Sequence, residues 1–202
     1  SKLVRAFLGL CNYYRAWIPY FSKIATPLYT LTSKKNPNFV WQQEHEDAYN
    51  HLKRALTSYP CLRKADHDRE FFLATDYCGT AVAACLYQKT DPVPGPDGKV
   101  AKPREYAVAF ASKKLSGSQL NWSAVEGEAY AACWGVHHFS PYLCNKFTLV
   151  CDHAPLKWLM TAKDLTGKLA RYALKLQQYN FEIVHRPGKT HGNADALSRL
   201  GH

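Results

Sequence analysis

No stretch of this sequence stays apolar for the roughly 20 residues a bilayer-spanning helix needs. Polar and aromatic side chains interrupt its first residues, which make no secretory signal. Cys11, Cys61, Cys78, Cys85, Cys133, Cys144 and Cys151 include no Cys-x-x-Cys pair. The adjacent His137 and His138 lack a second ligand pair at zinc-finger spacing, so a structural zinc site is not expected. Several thiols sit inside apolar runs and read as reduced core residues in a cytosolic setting. Acidic residues are scarce, 16 against 26 Lys and Arg, which leaves a net charge of +10. Such an excess attracts polyanions, so nucleic acid or an anionic surface is the natural partner. The plain alternative is a basic soluble protein with no such partner.

The 202 residues leave room for one large domain or two small ones, and 47% apolar content supports a packed core. Residues 3–58 read as helical. Leu3, Phe7, Leu10, Tyr14 and Trp17 recur at steps of three and four, and Pro19 stops that run. Residues 21–32 form a second short segment. Residues 44–57 form a third helix with Ala48, Leu52, Ala55 and Leu56 on one face, ended by Ser58-Tyr59-Pro60. This predicts a helical subdomain over 1–60, a polar linker over 61–68 and a second domain over 69–202.

From Glu70 the pattern changes. Strands are expected at 71–75, 81–87, 106–111, 147–151 and 181–184, with turn chemistry throughout 91–98. Helices are expected at 124–139, 156–160 and 167–179, and Asn193 caps a last short one. Three successive strands followed by alternating helices and strands imply a mixed sheet covered by helices.

The carboxylates are few enough to be read one by one. Asp76 and Asp152 each follow an apolar strand. A lone carboxylate there is usually a cap or loop residue, but two at strand ends suggest a site, because sites in open α/β sheets gather at strand ends. Glu126 and Glu128 lie about 200° apart on one helix, so only one can face the sheet edge, and periodicity does not choose between them. Asp195 sits in the first turn of the last helix, where the macrodipole favours an anion.

At these residues the chain resembles the thumb-to-ribonuclease-H region of the polyproteins of gypsy-type LTR retrotransposons. Phe7-Leu8-Gly9-Leu10-Cys11-Asn12-Tyr13-Tyr14-Arg15, then Ile18-Pro19 and Pro27-Leu28, look like that family's thumb motif. Ala74-Thr75-Asp76, Ala111-Ser112-Lys113-Lys114-Leu115, Asn121-Trp122-Ser123 leading to Glu128, Cys151-Asp152-His153 and Leu156-Lys157-Trp158-Leu159 follow in the family's order. His185-Arg186-Pro187-Gly188-Lys189 and Asn193-Ala194-Asp195-Ala196-Leu197-Ser198-Arg199 close the series. The resemblance implies an α/β, ribonuclease H-like fold: a five-stranded mixed sheet flanked by helices and preceded by a small helical subdomain. It also implies a metal set of Asp76, Glu128, Asp152 and Asp195, and favours Glu128 over Glu126. His185, ten residues before the last aspartate, takes the family's histidine position, with His191 the nearer basic alternative.

That set suits hydrolysis of a phosphodiester, which needs an aimed hydroxide and cations to offset the added negative charge. Two Mg²⁺ ions about 4 Å apart do both, and Mn²⁺ can be expected to substitute. Hard cations take oxygen ligands and keep several waters, so a few carboxylates suffice. His185 would deprotonate or position water, or help product leave. Ser112, Lys113, Lys114, Arg171 and Lys175, with Lys163 and Lys168 nearby, are the expected substrate contacts, holding phosphates without reading bases. An RNA–DNA hybrid would be recognised by groove shape and 2′-hydroxyls.

The resemblance further implies the polymerase portion of the same polyprotein as partner, no membrane or obligatory protein partner, and a cytoplasmic location within virus-like particles. The chain has no Tyr-x-Asp-Asp stretch, so no polymerase activity is expected of it alone. A module kept only to bind nucleic acid or to stabilise a polymerase is the competing reading. Several positions depart from the family: after the first aspartate, where the family usually has a small residue, stands Tyr77, then Cys78, and Ala81 and Ala83 replace glycines common a few residues on. Trp122 replaces a tyrosine and Tyr172 a tryptophan. Alanine permits less close approach of an RNA backbone than glycine. None of these departures removes a ligand.

Overall fold

The computed structural model describes residues 2–33, 39–94, 99–151, 155–162, 165, 167–186, 194 and 198. Three helices open the chain: α1 (Lys2–Tyr13), α2 (Phe21–Leu31) and α3 (Gln43–Leu56). α1 stops four residues short of the expected end, and Arg15–Trp17 tightens into a 3-10 turn. The polar residue types expected of a linker conceal part of its structure. Cys61 is fully buried, Leu62 bridges Ala107 in parallel, and Arg63 N–H donates to the Ala107 carbonyl at 2.9 Å.

The sheet contains β1 (Phe72–Tyr77), β2 (Ala81–Lys89), β5 (Glu105–Lys114), β6 (Phe147–Cys151) and β7 (Phe181–His185), with β3 (Val93–Pro94) and β4 (Val100–Ala101) forming a separate small hairpin. The order is β5-β2-β1-β6-β7. β1 pairs antiparallel with β2, and β2 with β5; β6 runs parallel to both β1 and β7. This is the five-stranded mixed sheet expected from the sequence. Its helices are α4 (Ala124–His138), α5 (Pro155–Thr161) and α6 (Gly167–Leu176), the last ending before residue 179.

The two faces of the sheet are covered by different parts of the chain. On one face Leu73, Ala84, Leu86 and Leu149 pack with Ala129, Ala132 and Val136 of α4. On the other, Ala74, Cys85, Tyr87 and Val150 pack with Phe7, Leu10, Cys11, Tyr14 and Leu52 of the first helices. Alternate side chains of a strand point to opposite faces, so β2 is buried from Ala81 to Gln88 although it lies next to an edge strand. Each large side chain enclosed this way contributes about 1.5–3 kcal/mol.

A polar cluster fastens the first helices to the sheet. Glu105 opens one edge strand and Arg186 directly follows the other. Arg186 donates to the Glu105 carboxylate at 2.6 and 3.0 Å and to the Tyr13 hydroxyl at 2.8 Å. Tyr13 in turn donates to Glu105, and the Trp17 indole donates to the Glu105 carbonyl at 2.7 Å. Burial pushes the Glu105 carboxyl up, but hydrogen bonds from Arg186 and Tyr13 outweigh this and hold it below its ordinary value.

Not every thiol is a core residue. Cys11, Cys61, Cys85 and Cys151 are buried, Cys78 and Cys133 are half-buried, and Cys144 is exposed; none of the seven is in a disulfide. No helix among the described residues is long and apolar enough to cross a membrane.

Candidate active site

Asp76 lies near the end of β1, as expected, and pairing with β2 continues one residue further, through Tyr77↔Val82. Asp76 is buried. By the alternation of the strand it shares a face with Ala74, while Thr75 and Tyr77 turn toward α4. α4 comes unusually close to this end of the strand. A Cβ added at Gly127 would overlap the Tyr77 ring, and one at Gly135 would lie 2.9 Å from the Thr75 methyl. The first turns of α4 therefore sit over the end of β1, and Glu128, also buried, is delivered there. Both carboxylates thus belong to elements that meet at this end of β1.

Glu126 is otherwise engaged. Ser123 caps α4, and Glu126 accepts from the Ser123 amide and hydroxyl, both at 3.0 Å. Its carboxylate also lies 3.6 Å from Lys168 Nζ. The Ser123 backbone and side-chain hydrogen bonds, more than Lys168, hold its carboxyl below the ordinary value.

Asp152 and Asp195 lie outside the described residues, but Cys151 and Ala194, which precede them, do not. Cys151 ends β6, whose register with β1 pairs Ala74 with Val150. Ala194 is fully buried in the cluster that holds Ala74 and Val150. Cys78, two residues past Asp76, donates its thiol to the Ser198 carbonyl at 2.9 Å. His185 is exposed, ends β7 and pairs with Cys151. His191 lies outside the described residues.

Among the described residues no three His, Cys, Asp or Glu side chains gather as a metal site. The donors present nevertheless suit a hard cation. Carboxylate oxygens are the ligands such ions take, and Asp76 and Glu128 are both buried.

The expected substrate contacts divide by face. Ser112 pairs with Ala83, and Ala83 with Asp76. The three form one row, which puts Ser112 about 10 Å from Asp76, two interstrand spacings away. Lys113 turns to the α4 side, where Nζ donates to the Tyr130 hydroxyl at 2.9 Å. Lys114 is exposed, as are Arg171 and Lys175 on α6, and Lys163 lies outside the described residues. Ala81 and Ala83 are fully enclosed, so their methyl groups meet the core rather than a bound backbone. Two features have no local signal in the sequence: the glycine under Tyr77 and the Glu105–Arg186 pair. The Ser123-x-x-Glu126 spacing is the signal that could have found Glu126 as a cap partner.

Comparison with known proteins agrees with this architecture. Residues 66–179 match the family described as RNase H-like domain found in reverse transcriptase. The chain is 34% identical over 201 residues to the retrovirus-related Pol polyprotein from transposon 297 of Drosophila melanogaster, covering 99% of this chain and 18% of that protein. It is 37% identical over 204 residues to the transposon Tf2-3 polyprotein of Schizosaccharomyces pombe, covering 98% of this chain and 14% of that one. It thus spans less than a fifth of these relatives. Among solved structures, the foamy viral protease-reverse transcriptase dRH in complex with ds DNA superposes with a TM-score of 0.66 at 18% identity, over 93% of this chain and 35% of that one. The native prototype foamy virus protease-reverse transcriptase gives 0.64 at 16%, over 94% and 25%. These two likenesses concern the fold. With the sheet order, the helical layers and the matched family on the same residues, the chain belongs to the RNase H-like domains found in reverse transcriptases.

Proposed function

We propose that this chain hydrolyses the RNA strand of RNA–DNA hybrids during reverse transcription of a retroelement. The observation that carries the reading is the burial of Asp76 and Glu128 at one end of β1 in a chain of this family. Asp76, Glu128, Asp152 and Asp195 would hold two divalent cations, Mg²⁺ or Mn²⁺. Bound there, such ions activate water and offset the charge that the phosphate gains.

The chain's own residues do the rest. Ser112 and Lys114 at the end of β5, with Lys113, Arg171 and Lys175, hold phosphates and set the register of the duplex. His185, exposed at the end of β7, positions the attacking water or helps product leave. Residues 1–60 act as the thumb-like end of the polymerase portion, residues 61–68 connect, and residues 69–202 carry the nuclease. One relative is named a retrovirus-related Pol polyprotein and the other a transposon polyprotein; the polymerase part of such a polyprotein is the partner, inside virus-like particles in the cytoplasm.

The test is a hybrid labelled on each strand in turn, incubated with the protein in Mg²⁺ and in excess chelator. The expected result is Mg²⁺-dependent loss of the RNA strand, with the DNA strand and single-stranded RNA largely intact. Tight hybrid binding without cleavage would instead mark a silent nucleic-acid-binding module.

A further inference from the structure

Between α4 and α6 lies a cavity of about 420 Å³, within the roughly 300–1,000 Å³ of small-ligand sites. It is separate from the carboxylate pair. Tyr130, Trp134 and His137 of α4 line it at the spacing of one helical face, and Glu128 lies about 200° around the helix from Tyr130. Its walls are aromatic: Tyr130, Trp134, Tyr172 and Tyr179. Tyr130 and Tyr172 form a tilted pair at 6.0 Å and 56°, not a stack with each other. Two cations, Lys113 and Lys175, line the same space, and no carboxylate among the described residues does. Cys133 ties the helices by donating to the Tyr172 carbonyl at 3.3 Å. Burial pushes its thiol up to about 12, so it brings no negative charge at neutral pH.

Four rings beside two ammonium groups suit a ligand that joins a planar ring to an anion. A bare phosphate has no use for the rings, and an apolar ligand has none for the lysines. Nucleotides have both parts, and base–aromatic stacking is tolerant of base identity. We propose that this groove binds one unpaired nucleotide, with its base against the Tyr130, Trp134, Tyr172 and Tyr179 rings and its phosphate at Lys113 and Lys175. A paired base is stacked inside its duplex and cannot offer its face, so the groove selects single strands. The nucleotide is either free or part of a strand. The site shares two lysines with the hybrid surface proposed above, but it does not require cleavage.

The experiment uses the whole chain without added metal. A single-stranded oligodeoxythymidine of about ten nucleotides, carrying 5-iodouracil, is photocross-linked and the modified peptides are mapped. Cross-links are expected on α4 or on the stretch from α6 to Tyr179, at Trp134, Tyr172 or Tyr179. Competition by thymidine monophosphate would show that a free nucleotide suffices; failure to compete would assign the site to a strand. Lys175→Glu should weaken oligonucleotide binding by about fivefold or more, within the range of a single stacking or phosphate contact. Lys64→Glu makes the same change in net charge, and Lys64 is exposed outside the groove; it should leave binding within about twofold. Cross-links confined to other elements, or equal losses in the two variants, would overturn the proposal. Hybrid cleavage is scored separately. An inactive chain that cross-links here keeps the groove, and an active chain that does not loses only the groove.

Discussion

Replacing Glu105 with glutamine keeps the side chain's shape and removes its charge. The Arg186 guanidinium then sits beside a neutral amide, which offers one uncharged acceptor oxygen in place of the carboxylate, and keeps its bond to Tyr13. The two charged side chains are 22% and 17% exposed. Breaking a buried pair by removing one partner costs about 3–5 kcal/mol, and the residual exposure places this pair near the low end, about 3 kcal/mol. For a chain of this size each kcal/mol moves Tm by roughly 2–4 °C, so a fall of about 6–12 °C is expected. A pH dependence goes with it. Because the folded carboxyl lies below its ordinary value near 4.5, its contribution is present above pH 4.5 and is lost as pH falls through the folded pKa. Urea denaturation of wild type and Glu105→Gln should show the full gap at neutral pH and a shrinking gap below about pH 4.5. Glu105→Gln combined with Arg186→Met should recover part of the loss. A neutral-pH gap under about 1 kcal/mol, the worth of an exposed pair, would refute the reasoning. So would a gap that does not change into acid.

Four further outcomes are expected at the site and the helix beside it. Asp76→Asn should abolish hybrid cleavage while hybrid affinity, measured by fluorescence anisotropy, stays the same or rises, since repulsion of phosphate is reduced. In single-turnover cleavage at fixed Mg²⁺, Glu128→Gln should be as inactive as Asp76→Asn and Glu126→Gln close to wild type. In the same assay His185→Ala should be slower by about 10²-fold and His191→Ala nearly unaffected; the reverse order would exchange the two histidines. Gly127→Ala should destabilise by about 1–3 kcal/mol, as overpacking does, despite alanine's better helix propensity. Tyr77→Ala in the same chain should remove that penalty in thermal melts.

The order of elements was legible because the two periodicities differ: step-three-and-four spacing through Leu52 and Leu56, and continuous apolar runs through Leu86 and Leu149. The mixed character of the sheet followed from three strands in succession and then helix-linked ones; the strand order itself comes from the structure. Where the reading fell short, the deciding contact was distant in sequence. Glu105 and Arg186 are 81 positions apart, and neither has a neighbour pattern that names the other. The polar residues after Pro60 suggested a linker, yet their backbone joins the edge of β5, which side-chain type does not report. The choice between Glu126 and Glu128 was open on helical periodicity, since both lie on faces with apolar neighbours. The structure separates their surroundings: one caps α4 at Ser123 and the other is enclosed near the end of β1.

The fit of Tyr77 over Gly127 also constrains the order in which sequences like this one can change. With a small residue at position 77, a glycine at 127 costs only helix propensity, about 1 kcal/mol relative to alanine. Tyrosine can enter at 77 only after that glycine is in place, since the ring needs the space a Cβ would fill. Once it has entered, position 127 is fixed until 77 shrinks again. The two sites thus form a ratchet: each step is tolerable in one order and damaging in the other. Because Glu128 is the next residue on the helix, a change taken in the wrong order shifts a proposed metal ligand as well as the packing.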